Sequence, residues 1–267
     1  MAEEHVRLDD LRLAFPTPAG PLPVLDGVSA TIGRGEFVSI IGPSGCGKST
    51  LFNSMAGLLQ PDTGRLLIDD IDRTSSTAHC GYMPQQDLLF PWRTIAQNAA
   101  LGLEVQGVPR REARQRARDL LPEFGLGGFE DARPSELSGG MRLRVALART
   151  VLQERDVLLL DEPLGALDAL TRTEMQDWLQ RVWSRHRRTV IMVTHDVREA
   201  TYLSDRILVL GPRPTRIVKD VTVRLARPRT IDTLTDPEFL RVEALLLREL
   251  RGDGSAGPRA SNSPATT

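Results

Sequence analysis

Cysteine is scarce in this chain: only Cys46 and Cys80 occur in 267 residues, and no short-spaced Cys/His cluster accompanies them. Neither a disulfide framework nor a structural zinc site is expected to hold the fold. Long apolar runs are missing too, since none reaches the ~18 residues that a membrane-crossing helix needs. The opening MAEEHVRLDD is acidic and polar, unlike a secretory signal. Charge of one sign is not in excess either: 34 Lys and Arg balance 35 Asp and Glu, for a formal net charge of -1. That balance supplies no electrostatic argument for nucleic acid as a partner. These absences predict a soluble intracellular protein. What is there is a globular composition, 40% hydrophobic and 26% charged, long enough for one core with a helical insertion.

The texture changes along the chain. VRLDDLRLAF and VLDGVSATIGRGEF alternate like strands with glycine turns, and predict an N-terminal antiparallel β portion. Phe37 to Ile41 is a compact apolar run with β-branched members, suited to a buried parallel strand. From Trp92 to Leu152 the segments TIAQNAALGLEV and PRREARQRARDLLPEFG read as helices. The arginines from Arg110 to Arg118 read as a solvated helix face. Strand and helix patterns then alternate through Val157–Leu160, LTRTEMQDWLQRVWSRH, TVIMVTH, VREATYLSD and RILVLG. Such αβ alternation predicts a mostly parallel sheet flanked by helices. Beyond it lie one expected strand at 217–225, one amphipathic helix at 236–250 and, at 252–267, a small, polar stretch expected to be disordered. No internal repeat is present.

Two motifs carry chemistry by themselves. Gly42 to Thr50, GPSGCGKST, fits G-x-x-x-x-G-K-[ST] between a predicted strand and a predicted helix. Phosphates need converging backbone N–H donors, and the glycines let the backbone approach while the helix adds its positive end. Lys48 would reach the β- and γ-phosphates, and the Ser49 hydroxyl would hold Mg²⁺. Further on, VLLLDE ends an apolar strand in Asp161 and Glu162. One carboxylate there can support a metal while its neighbour orients and deprotonates water. Paired acids at a strand tip are common and weak evidence alone; beside a phosphate loop they become strong.

A third segment is more specific. Leu137 to Met141, LSGGM, followed by RLRVALAR, resembles the signature sequence of ABC ATPases. Gln85 resembles that family's Q-loop glutamine, GALD ending at Asp168 its D-loop, His195 in VTHD its switch histidine, and Phe15 its adenine-stacking aromatic. The resemblance runs from the first strand to Leu210. It implies an α/β P-loop NTPase fold: a RecA-like core at 1–91 and 153–215, a helical signature subdomain at 92–152, and a C-terminal extension at 216–251. It also implies roles. Gly42, Pro43, Ser44, Gly45, Cys46, Gly47, Lys48, Ser49 and Thr50 would bind ATP. Ser49, Gln85 and Asp161 would serve Mg²⁺; Glu162 would be the general base; Gln85 and His195 would sense water and γ-phosphate. Ser138, Gly139, Gly140 and Asp168 would complete the site of a second copy in a head-to-tail dimer. Phe15 has a second reading as a core filler, and the Cys46 and Cys80 side chains are given no chemistry. Leu143 departs from the family, which often has Gln there; a polar contact is lost and turnover can fall.

QQDLLFPWRTIAQN, SGGMRLRVALA and DEPLGALDALTRTEMQ resemble motor subunits of importers for nitrate, sulfonates, taurine or pyrimidine precursors. In that branch the apolar Leu88–Trp92 segment would receive a separate membrane permease, fed indirectly by a solute-binding protein, at the cytoplasmic face of the inner membrane. The other reading of Trp92 is burial between two lobes. Two other readings stay open: an ABC-type ATPase regulating a non-transport membrane complex, and one acting on DNA or translation.

Overall fold

The computed structural model describes residues 3–251, and the tail expected at 252–267 lies outside them. Glu4–Thr17 (β1) and Gly20–Gly33 (β2) form an antiparallel pair, and β1 pairs on its other edge with Thr63–Ile68 (β4), which pairs with Ile71–Asp72 (β5). The inner face of this four-stranded sheet carries Val6 and Leu8, then Leu11 and Leu13. The switch from even to odd residues coincides with a register slip between Leu8 and Leu11, with Asp10 at φ 49°. One extra residue would otherwise turn the rest of the strand inside out.

The second sheet runs β10-β9-β3-β8-β7-β6, where β3 is Phe37–Ile41, β6 Gly81–Met83, β7 Val157–Asp161, β8 Thr189–Val193, β9 Arg206–Leu210 and β10 Ile217–Thr222. All pairs are parallel except β9 with β10. Its central strands are apolar on both faces because both are covered. Val38, Ile40, Leu159, Ile191, Val193 and Leu208 pack toward the antiparallel sheet. Between the layers lies Lys48–Met55 (α1), which contributes fully buried Leu51, Phe52 and Met55. Burying each such side chain contributes roughly 1.5–3 kcal/mol.

The alternate residues Phe37, Ile41, Leu158, Leu160, Val190, Met192, Ile207 and Val209 face the helices. These are Ile95–Ala99 (α2), Leu101–Val105 (α3), Arg110–Leu120 (α4), Gly139–Val151 (α5), Ala169–His186 (α6), Val197–Leu203 (α7) and Pro237–Arg251 (α8). The single helix read over TIAQNAALGLEV is two short ones that meet at Ala100. Buried Ala113 and Ala117 turn one stripe of α4 inward and leave its arginines outward. The C-terminal strand stops at Thr222 rather than Leu225, because its partner β9 begins at Arg206, opposite Thr222. Phe239, Val242 and Leu246 seat α8 against α7 and β9. Among the described residues no helix is long and apolar enough to cross a membrane.

Candidate functional site

The carboxyl ends of the parallel strands gather the candidate residues on one rim. At the end of β3 the chain turns through Gly42–Gly47 into α1. Gly47 has φ +120°, and a Cβ there would meet Val24 Cγ1 at 2.9 Å; only glycine fits. Ser44, Gly45 and Ser49 are exposed, whereas Cys46 is buried in the layer below. Lys48 Nζ donates to the carbonyls of Gly42 (2.8 Å) and Pro43 (3.0 Å). An ammonium has three donors, so one remains for a phosphate oxygen. Among the described residues no side chain caps the N-terminus of α1, which leaves its first amides available for an anion.

β7 delivers Asp161 and Glu162 beside that loop. Burial, then the charge of Glu162, pushes the Asp161 carboxyl above its usual range; the Tyr82 hydroxyl (3.4 Å) and the Lys48 charge oppose this. Two adjacent acids answered mainly by one lysine form a site short of positive charge, which a hard cation supplies. The oxygens on offer are the Asp161 carboxylate, the Ser49 hydroxyl and the Gln85 amide, with no group of three or more His, Cys, Asp or Glu among the described residues that could cage a metal. Such a partial set suits Mg²⁺, which is normally shared with phosphates and water.

Glu162 sits at φ +44°, a left-handed conformation unusual for a non-glycine residue, and its amide donates to Val193 O at 2.9 Å. That twist accompanies convergence on its side chain: Gln85 Nε2 donates to Glu162 Oε2 at 3.1 Å, and His195 Nδ1 lies 3.3 Å from the same oxygen. Three residues far apart in sequence thus share one point. His195 follows β8 and is exposed; behind it, the Thr194 hydroxyl donates to buried Glu199 (3.1 Å) and accepts from the Asp196 amide (3.1 Å). Asp196 caps α7.

Ser138 caps α5 by accepting from the Met141 amide at 3.3 Å. A Cβ on Gly140 would come 3.2 Å from Thr171 Cγ2, so the signature start lies against the start of α6. Asp168 caps α6 through the Thr171 amide at 3.1 Å, and hydrogen bonding from the Thr171 side chain, then from that amide, holds its carboxyl below the usual range. Among the described residues no hydrogen bond joins Ser138, Gly139 or Gly140 to the loop at 42–50. Phe15 is 38% exposed near the end of β1. Leu143 lines a small apolar cavity with Met83, Leu160, Leu164, Met175 and Trp178, and lies among carbon atoms.

Sequence reasoning missed several residues. Tyr82 reads as an ordinary strand aromatic; its hydroxyl, pushed up to about 12 by burial and then by the Asp161 charge, is a donor for that carboxylate. Arg149 donates to the carbonyls of Asp87 (2.6 Å) and Leu88 (3.0 Å), and Arg142 pairs with the Asp87 carboxylate (3.1 Å). Fully buried Asn98 accepts from the Phe90 amide (2.8 Å) and donates to the carbonyls of Phe90, Arg93 and Thr94 (3.1–3.3 Å). These bonds hold out an apolar ledge in which Trp92 is 68% exposed and stacks on Phe90 at 5.1 Å.

A strand–phosphate loop–helix unit with an acidic strand tip beside it defines a P-loop nucleotide hydrolase. The profile of the ABC transporter family matches residues 25–165, and the chain belongs to that family as its ATP-hydrolysing component, coupled to transport. An ATP-binding protein of Brucella abortus is 48% identical over 218 residues, 82% of this chain and 84% of the relative. The taurine import ATP-binding protein TauB of Burkholderia pseudomallei is 42% identical over 243 residues, 89% and 94% of the two chains. Among solved structures, the dimeric ABC transporter cassette MJ0796 superposes with TM-score 0.71 at 30% identity, over 83% of this chain and all of that one; its post-hydrolysis form bound to ADP and Pi gives 0.70.

Proposed function

We propose that the chain is the ATPase of an importer that takes up a small solute, of the taurine, sulfonate or nitrate kind or a pyrimidine precursor, through a separate permease. The observation that carries this reading is the exposed, rigidly held ledge at Leu88–Trp92, together with 42% identity to a taurine import ATPase over nearly its whole length. Exposed apolar clusters mark partner sites. This one is tied by Arg149 to α5, whose N-terminus carries Ser138, and lies in the same loop as Gln85. In this reading ATP and Mg²⁺ bind at Gly42–Thr50, with Phe15 against the base. Ser49, Gln85 and Asp161 hold the metal, and Glu162 takes the proton of the attacking water. His195 and Gln85 orient the γ-phosphate and that water. Ser138, Gly139, Gly140 and Asp168 of a second copy close each site. Phosphoryl transfer depends mainly on positioning and charge stabilisation, so dimer closure gates hydrolysis and drives the permease. The protein works at the cytoplasmic face of the membrane, and a solute-binding protein delivers cargo to the permease. Cargo identity resides in those other chains.

Purification from the native cell in mild detergent, with this chain as bait, tests the reading. A multi-pass permease with a solute receptor is the expected catch, and loss of that catch with Trp92→Ala would place the contact. A catch of ribosomal or DNA-repair proteins without a membrane partner would overturn the importer.

A further inference from the structure

The segment between β9 and β10, Gly211 to Arg216, belongs to none of the motifs, yet it is bound to the back of the phosphate loop. Thr215 is fully buried. Its amide donates to Val24 O at 2.8 Å, and its carbonyl accepts from the Asp26 amide at 3.0 Å, which fastens the segment to β2. Its hydroxyl donates to the carbonyl of Cys46. Two residues earlier, Arg213 Nη2 donates to the carbonyl of Gly45 at 2.6 Å. One residue later, Arg216 Nε reaches Asp26 Oδ2 at 3.0 Å, and Asp26 also pairs with Arg12 of β1.

These bonds address a problem built into a glycine-rich anion cradle. Gly45 and Gly47 have φ of +71° and +120°, and glycine lets a peptide plane turn either way at little cost. A plane turned wrongly points a carbonyl oxygen, the negative end of its dipole, at a phosphate. Here the carbonyls of Gly42 and Pro43 are taken by Lys48, that of Gly45 by Arg213 and that of Cys46 by Thr215. Two of these four anchors come from outside the loop and its helix.

We propose that Arg213 and Thr215 are positioning residues for nucleotide binding: they hold the Gly45 and Cys46 carbonyls so that neither oxygen turns toward a phosphate, the Cys46 amide being itself turned back to Pro43 O at 3.3 Å. The proposal rests on the reading of Gly42–Thr50 as the phosphate site. Neither side chain needs to touch the substrate. The effect is preorganisation, which lowers the ordering cost of binding.

The test is the affinity of the purified full-length chain for a fluorescent ATP analogue with Mg²⁺, measured alongside KM, kcat and Tm. Arg213→Ala is expected to weaken binding about tenfold, near 1.4 kcal/mol, and to raise KM with it. Arg213 lies on the surface, so kcat should stay within about twofold and Tm within about 2 °C. Arg213→Lys, which keeps a charged donor, should recover part of the affinity. Thr215→Val should lose affinity and Thr215→Ser retain it. If Lys48→Ala loses binding while Arg213→Ala and Thr215→Val bind like wild type, the positioning role is overturned and the loop reading stands. If Lys48→Ala binds like wild type, the loop reading itself fails. A fall in Tm and kcat with unchanged affinity would reduce Arg213 to a fold-holding role and also overturn the proposal.

Discussion

Leu143 tests how far a motif position by itself fixes what a side chain does. It stands where the family often has Gln, which suggests a lost polar contact and slower turnover. Its side chain packs among Met83, Leu160, Leu164, Met175 and Trp178. Leu143 is half-buried, so a glutamine that followed the same path would lose apolar contact and set its amide against carbon, a cost of up to about 1–3 kcal/mol. Leu143→Gln should therefore lower stability in a denaturant melt by that order without restoring activity; a faster, equally stable variant would reinstate the polar reading. Glu199 offers a second test. Burial, then the charge of Asp196, pushes its carboxyl up to about 8 from 4.5. In the unfolded chain it ionises near 4.5, and in the folded protein only near 8, so the folded state holds the proton more tightly. Its contribution to stability is complete below pH 4.5 and is lost as pH rises through about 8. Glu199→Gln, which resembles the protonated form, should raise Tm at pH 8 more than at pH 5. An equal change at both pH values would show that the group does not titrate there. Gly42–Thr50 and LSGGM were legible because each motif is local. Tyr82 and Arg213 were not, because each acts on a backbone or carboxylate that only the fold brings near: Tyr82 and Asp161 are 79 residues apart, Arg213 and Gly45 168.

At the scale of elements, α5 links the signature to the exposed ledge. Its N-terminus carries Ser138; Arg142, about one turn on, and Arg149, about three turns on, grip the Q-loop at Asp87 and Leu88. Leu88 is held at φ +44°, and Arg149 takes its carbonyl at 3.0 Å. A displacement of the Q-loop would therefore pull on α5. Arg149→Ala removes two charge-assisted bonds to carbonyls, each worth about 1.5–3 kcal/mol. Basal hydrolysis by the isolated chain should survive, while stimulation by the assembled permease should fall several-fold; full stimulation would exclude α5 as the link. Alternation made β1 and β2 readable, compact apolar runs the buried parallel strands β3, β7, β8 and β9, and the period of α4 and α8 those helices. β6, three residues long, is too short to show a period, and the end of β10 is fixed by its partner rather than by its own sequence.

For the whole molecule, the proposed head-to-tail dimer rests on where the signature start lies relative to its own phosphate loop. The acid, glutamine and histidine converge at Glu162 Oε2 within one chain, yet among the described residues the signature start makes no hydrogen bond to its own phosphate loop and instead abuts α6. Ser138 stands as a helix N-cap with exposed Gly139 beside it, an anion-seeking end. A phosphate held by one copy and capped by the signature of another would satisfy both. Closure should then follow ATP binding, and loss of the γ-phosphate should release it. Glu162→Gln keeps the size and hydrogen-bonding reach of the side chain but cannot accept the proton of water, so it should leave ATP affinity within about threefold while lowering kcat by at least a hundredfold. The trapped species should run as a dimer in gel filtration with ATP and as a monomer with ADP. Adding Ser138→Arg, which puts bulk and positive charge at the proposed contact, should return it to a monomer even with ATP. A Glu162→Gln protein that stays monomeric with ATP would overturn the shared-site arrangement, and one that hydrolyses at the wild-type rate would remove Glu162 from the role of base.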